Sequence, residues 1–125
     1  MVKLLFVGIG GFFGAISRYL ASGYVHTLLD KPNFPYGTLA VNVLGCLLIG
    51  FLNGVFESRQ IFNPELRLFV FIGFLGGFTT FSTFGYELFS FMRDSQFMST
   101  LLNLFLSIFL GLLAVWLGNI LSKLI

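Results

Sequence analysis

The stretch GFLGGFTTFSTFGYE, residues 73–87, decides how this chain is read. It sets two adjacent glycines, three threonines and a serine in the middle of the longest hydrophobic run. Glycine and β-branched threonine are among the weaker helix formers, so in water the stretch would pass as a turn. In a bilayer, irregular backbone is tolerated only where it is buried in protein or lines a water-filled cavity. The stretch therefore asks what a helix break at this place would serve.

The rest of the chain makes lipid the relevant solvent. Of its 125 residues, 57% are hydrophobic and 10% charged, whereas soluble domains carry about 25% charged residues. The apolar segments are also too long for core helices, since about 20 residues suffice to cross a bilayer. An integral membrane protein follows. The net charge of +2 comes from residues mostly at segment ends, so no cationic stripe for nucleic acid is present. Cys46 is the only cysteine; inside an apolar run it reads as a small packing residue, with no second thiol for a disulfide or a metal cluster. Lys3 precedes an apolar stretch that runs on through Arg18 without a clean A-x-A end, which predicts a retained helix rather than a cleaved signal.

Hydropathy divides the chain into four spans of one domain, at about 4–29, 37–56, 64–92 and 97–123. The first ends at Asp30-Lys31-Pro32-Asn33-Phe34-Pro35 and the second at Glu57-Ser58-Arg59-Gln60. Asn63-Pro64-Glu65 reads as a helix start, with Asn63 as N-cap and Pro64 at the first helical position. Arg93-Asp94-Ser95-Gln96 forms the last loop. An even number of spans puts both ends on one side, with Lys3, Arg59, Arg67 and Lys123 there against Lys31 and Arg93 opposite. That bias places the ends in the cytoplasm, yet it is weak enough to permit insertion in both orientations. Four helices enclose a core about one side chain wide, so transport calls for an oligomer. An antiparallel pair would acquire the inverted symmetry common in transporters.

Polar groups inside spans are functional candidates by default. Arg18 shares a helical face with Gly11 and Gly14 and reads either as a snorkelling side chain or as a fixed positive charge at an aqueous vestibule. Asn42 lies on a face with Thr38, Gly45, Ile49 and Asn53 and reads as interhelical glue or as a pore-facing donor. In the fourth span Asn103, Ser107, Gly111, Gly118 and Ser122 form a narrow stripe, a packing seam or a water-accessible track. The third span, as continuous helix, would reach about 43 Å against a hydrocarbon thickness of about 30 Å. A break at Gly76-Gly77 shortens it and frees backbone groups at mid-depth, where carbonyl ends suit a cation and amide ends an anion.

After that break, Phe81 and Phe84 alternate with Ser82 and Thr83. Aromatic rings have positive edges, so ring edges, hydroxyls and amides together could meet a small anion that has shed its water. With 18 phenylalanines in the chain, lipid-facing or core packing is the competing reading for any one of them. Glu87, a turn further on, is interfacial or lines a vestibule. His26 reads as an interfacial residue. No Ser-His-Asp set is present, and the chain is not expected to be an enzyme.

Three stretches, GGFFGAISRY at 10–19, YGTLAVNVLG at 36–45 and GFLGGFTTFSTFGYE at 73–87, resemble the small fluoride channels, the Fluc family also called CrcB, over essentially the whole chain. The resemblance implies an all-α membrane protein of four transmembrane helices, the third broken near its centre, forming an antiparallel, dual-topology homodimer in the plasma or inner membrane. It implies passive export of fluoride through two narrow pores, which lowers cytoplasmic fluoride and gives fluoride resistance. It also implies a structural sodium ion at the dimer centre, held by the backbone carbonyls of Gly76 and Thr79. Carried over residue by residue, the pore residues are Phe81, Phe84, Asn42, Ser82, Thr83 and Thr38, with Ser107 in the fourth span, Arg18 at the vestibule and Glu87 after the motif. The fourth span departs from the pattern: Asn103 stands where some members carry a tyrosine, and Gly111 where a second serine would be. The rival reading is a proton-coupled small multidrug exporter, which also pairs four short helices antiparallel. It normally needs a carboxylate deep in the membrane, and the first span offers Arg18 instead.

Overall fold

In a computed structural model, residues 1–30, 33–61 and 63–125 are described; Lys31 and Pro32 of the expected first loop lie outside them. The described chain is helical almost throughout. Helix α1 runs Val2–Leu29 and α2 runs Tyr36–Ser58. The third span begins with α3, Pro64–Arg67, widens into π-helical turns over Leu68–Leu75, and closes with α4, Gly76–Phe78. Helix α5, Phe81–Arg93, and α6, Phe97–Ser122, follow. Four stretches, Val2–Leu29, Tyr36–Ser58, Pro64–Arg93 and Phe97–Ser122, are long and apolar enough to cross a membrane.

Local chemistry sets the ends. Asn63 accepts the N–H of Leu66 at 2.8 Å, and Pro64 occupies the first helical position, where its missing N–H costs nothing. Helix α1 stops in a left-handed turn at Asp30 (φ 42°), whose N–H returns to the carbonyl of His26. Arg67, one turn inside its helix, is held between the rings of Phe56 and Phe71, 5.8 Å from each centroid. These rings give a cation company that lipid would not.

Packing separates the molecule into two tight helix pairs. Helix α2 lies along α6, and α1 lies along the π-helical stretch and α4. Small residues make both contacts, as expected where lipid removes any hydrophobic drive between helices and close backbone approach must supply the attraction. A Cβ at Gly118 of α6 would stand 2.7 Å from the Phe51 nitrogen. One at Gly77 would stand 2.7 Å from the Gly11 carbonyl oxygen, and one at Gly73 2.7 Å from that of Val7.

The glycine pair corrects the expected location of the break. Gly76 and Gly77 are helical, with Gly76 at φ −63°, ψ −34°. At Gly77 the missing side chain serves contact with α1 rather than backbone freedom, while Gly76 is exposed. Thr79 (φ −90°, ψ 158°) and Thr80 (φ −147°, ψ 116°) are the extended residues. Extended backbone suits a β-branched residue; a helical glycine suits a crowded seam.

Candidate functional site

Two extended residues inside a hydrophobic bundle must send their backbone groups somewhere. The Thr79 N–H and hydroxyl both donate to the Leu75 carbonyl, at 3.0 and 2.9 Å, completing the turn before the break. Thr80 is satisfied from another helix. Its N–H donates to Asn42 Oδ1 at 2.8 Å, and its carbonyl accepts from Asn42 Nδ2 at 3.0 Å. The side-chain amide of α2 thus imitates a peptide group and pairs with Thr80 as a neighbouring strand would. Helix α5 then starts on Thr80, whose Oγ1 accepts the Thr83 N–H at 3.3 Å and donates to Thr83 Oγ1 at 2.9 Å. One N–H of the Asn42 amide is left over after these bonds.

Around this pair lie two clefts that share Thr80 as a wall. The first, about 450 Å³, is lined by Asn42, Gly76, Thr80, Phe81, Phe84 and Ser107 among others. The rings of Phe81 and Phe84 stand 6.0 Å apart, inclined at 50°. The second cleft, about 410 Å³, is lined by Arg18, Ser22, His26, Thr38, Thr80 and Thr83. Arg18 of α1 therefore faces hydroxyls from α2 and α5. Of the residues singled out in the sequence, Asn42, Phe81, Phe84, Ser107, Gly76 and Thr79 come together in the first cleft, and Arg18, Thr38 and Thr83 in the second. Ser82 is exposed and lines neither.

Glu87 joins the second cleft to the fourth span. The Thr38 hydroxyl donates to Glu87 Oε1, while Glu87 Oε2 is buried without a partner. Asn103, 1% exposed, is a neighbour of that carboxyl. Ser107 donates to Asn103 Oδ1 at 3.3 Å, which fixes the amide with its NH2 turned away. The Nδ2 so oriented has no partner. The Asn103 amide and the Glu87 carboxyl are thus the natural donor and acceptor for one another, since neither Nδ2 nor Oε2 has another partner.

Two residues take a place at this site that the sequence did not give them. Asn103 read as one member of a polar stripe and as a departure from the family's tyrosine, not as a neighbour of Glu87. His26 read as an isolated interfacial residue, yet it lines the Arg18 cleft. The signal that could have found His26 is its spacing of eight from Arg18, which is the same helical face.

The profile of the family described as "CrcB-like protein, Camphor Resistance (CrcB)" matches residues 5–119. The chain belongs to the CrcB-like family. Similar members are named fluoride-specific ion channel FluC. One from Geobacter sulfurreducens is 45% identical over 118 residues, covering 94% of each chain. One from Chlorobium phaeobacteroides is 46% identical over 121 residues, covering 97% of this chain and 93% of its own. One from Elusimicrobium minutum is 45% identical over 123 residues, covering 98% and 95%. This CrcB-like chain, with its four apolar helices, is a multi-pass membrane protein.

Proposed function

We propose that this CrcB-like protein is a fluoride-selective channel that lets the anion leave passively down its gradient. One observation carries the reading: a cationic cleft and an aromatic cleft meet at a single hydrogen-bonded residue, Thr80, inside the bundle. Its curated relatives are named for the same activity. Arg18 draws the anion into the second cleft, where the Thr83 hydroxyl keeps its proton to donate, that of Thr38 being spent on Glu87. The remaining Asn42 N–H stands where the two clefts adjoin. Beyond it the edges of Phe81 and Phe84, positive by their quadrupoles, take over from water. The fourth helix adds Ser107 to the wall of the first cleft. Fluoride is preferred over chloride because a short donor-lined constriction excludes the larger ion.

The working unit in this reading is an antiparallel homodimer with two pores. Phe81 is 83% exposed on the single chain, and Gly76, Ser82 and Thr83 are exposed beside it. Polar backbone facing lipid at mid-span is not tolerated, so a second copy of this chain covers that face, and the weak charge bias allows the opposite insertion. The third span then works as two half-helices whose carbonyl ends meet at the two-fold axis. A structural sodium ion fits there. Because the Thr80 N–H is turned to Asn42, the Gly76 carbonyl loses the donor it would have in a continuous helix. Hard carbonyl oxygens from Gly76 and Thr79 of both copies suit a hard cation. The ion would screen the carbonyl dipoles that face one another across the axis.

The test is fluoride efflux from liposomes containing the purified protein, read with a fluoride electrode, with chloride as control. Fast fluoride loss without chloride loss, slowed by Phe81→Ile, is the expected result. Proton-coupled exchange of a cationic drug in place of fluoride flux would overturn the assignment. A second expectation concerns Asn103. Asn103→Leu removes the acceptor of the Ser107 hydroxyl and the neighbour of the Glu87 carboxyl, so it should lower the stability of the protein in micelles by about 1–3 kcal/mol and slow fluoride loss. Unchanged stability on that substitution would mean that the amide holds neither group.

A further inference from the structure

The second cleft holds a group that the channel reading leaves idle. His26 sits on the last turns of α1, eight residues after Arg18, and both line the same cleft as Thr38 and Thr83. Its ring lies against α2 at Gly37, where a Cβ would come within 2.9 Å of His26 Cδ2. From α5, Glu87 accepts the hydroxyl of Thr38, a residue of the cleft wall. Among the described residues, the other groups able to carry charge here are Arg18 and Tyr19 in the cleft and Asp30 at the end of α1. From α2 the cleft receives only the neutral Thr38 and Val41.

This arrangement poses an electrostatic problem for an anion. Arg18 attracts it, but an ionised Glu87 beside Thr38 repels it from the donors it must reach next. With the carboxyls of Glu87 and Asp30 set against Arg18, the pull of the cleft on an anion is weakened. A second cation on the same wall would change that. Imidazole is the side chain whose charge ordinarily changes between about pH 5 and 8.

We propose that His26 sets the charge of the vestibule, acting as the second cation that offsets Glu87 and raises the local concentration of fluoride at the pore mouth. This inference rests on the channel reading. His26 does not coordinate the ion inside the pore; it positions the anion by field alone. Its effect therefore shows at low fluoride, when filling the vestibule limits the rate, and fades as fluoride saturates or salt screens the cleft.

The experiment is initial fluoride efflux from vesicles at sub-saturating fluoride, with equal pH inside and out, from pH 7.5 to 5.5, subtracting the leak of protein-free vesicles. One elementary charge several ångströms from the site predicts a rise of roughly threefold on acidification at low ionic strength. His26→Gln should flatten that profile at its alkaline level, and His26→Arg should flatten it at its acidic level. The differences among the three proteins should shrink as fluoride saturates. A His26→Gln profile that still rises with acid would overturn the inference and assign the titration to Glu87. Complete absence of fluoride flux from the unmodified protein at every pH would overturn the channel reading, and this inference with it.

Discussion

Asn42→Leu is expected to cost about 2–5 kcal/mol of stability, because an unsatisfied buried hydrogen-bonding group costs about 1–3 kcal/mol, and to abolish fluoride flux. Leucine matches asparagine in size but offers Thr80 nothing. The Thr80 N–H and carbonyl, bonded at 2.8 and 3.0 Å to Asn42, would both be left without partners. Neither can return to a helical partner unless Thr79 and Thr80 leave their extended conformation. A continuous third span would remove the start of α5 and turn Phe81 and Phe84 out of their cleft. Asn42→Asp separates the two contributions, since it keeps the acceptor for Thr80 N–H and loses the donor to the carbonyl. Unfolding by denaturant in micelles, together with vesicle efflux, measures both effects. An Asn42→Leu protein that unfolds where the parent does but conducts nothing would show that Asn42 acts on the ion alone.

The second large effect is expected at Gly77. A Cβ there meets the Gly11 carbonyl oxygen at 2.7 Å and the Ala15 nitrogen at 3.2 Å. Both are backbone atoms of α1, so no side-chain rotation makes room. Gly77→Ala should therefore destabilise by about 1–3 kcal/mol, the usual cost of overpacking. Gly77→Leu, with three carbons more, should keep α1 from seating against α4 and leave no folded protein to reconstitute. Gly8→Ala is the control. A Cβ at Gly8 meets nothing within 4 Å, and alanine is the better helix former by about 1 kcal/mol, so the protein should be unharmed. Equal losses at Gly8 and Gly77 in a thermal unfolding series would refute the steric account.

Much of the architecture is visible without coordinates. Four apolar helices follow from hydropathy because the cost of placing each residue in lipid is nearly independent of its distant neighbours. The start of the third span at Asn63-Pro64 follows from capping chemistry confined to four residues. The motif at 73–87 drew attention to the right fifteen residues. It did not say which of them leave the helix. Local propensity favours the glycines as breakers, whereas the fold keeps both helical, uses Gly77 as contact surface and leaves Thr79 and Thr80 extended. A break with a partner is cheaper than a break without one, and the partner, Asn42, lies some forty residues earlier.

The sequence by itself therefore determined the solvent, the number of helices, the family and the set of polar residues worth following. Each rests on a property of a residue and its near neighbours in the chain. Only the tertiary structure decided what those polar residues do to one another. Asn42 could be glue or donor, and the fold makes it the backbone partner of Thr80 with one N–H to spare. Asn103 could be packing, and the fold buries its amide between the Ser107 hydroxyl and the Glu87 carboxyl. His26 could be interfacial, and the fold puts it in one cleft with Arg18. The reason is physical: a hydrogen bond or a charge pair depends on distances between helices, and those are set where backbones touch at Gly73, Gly77 and Gly118.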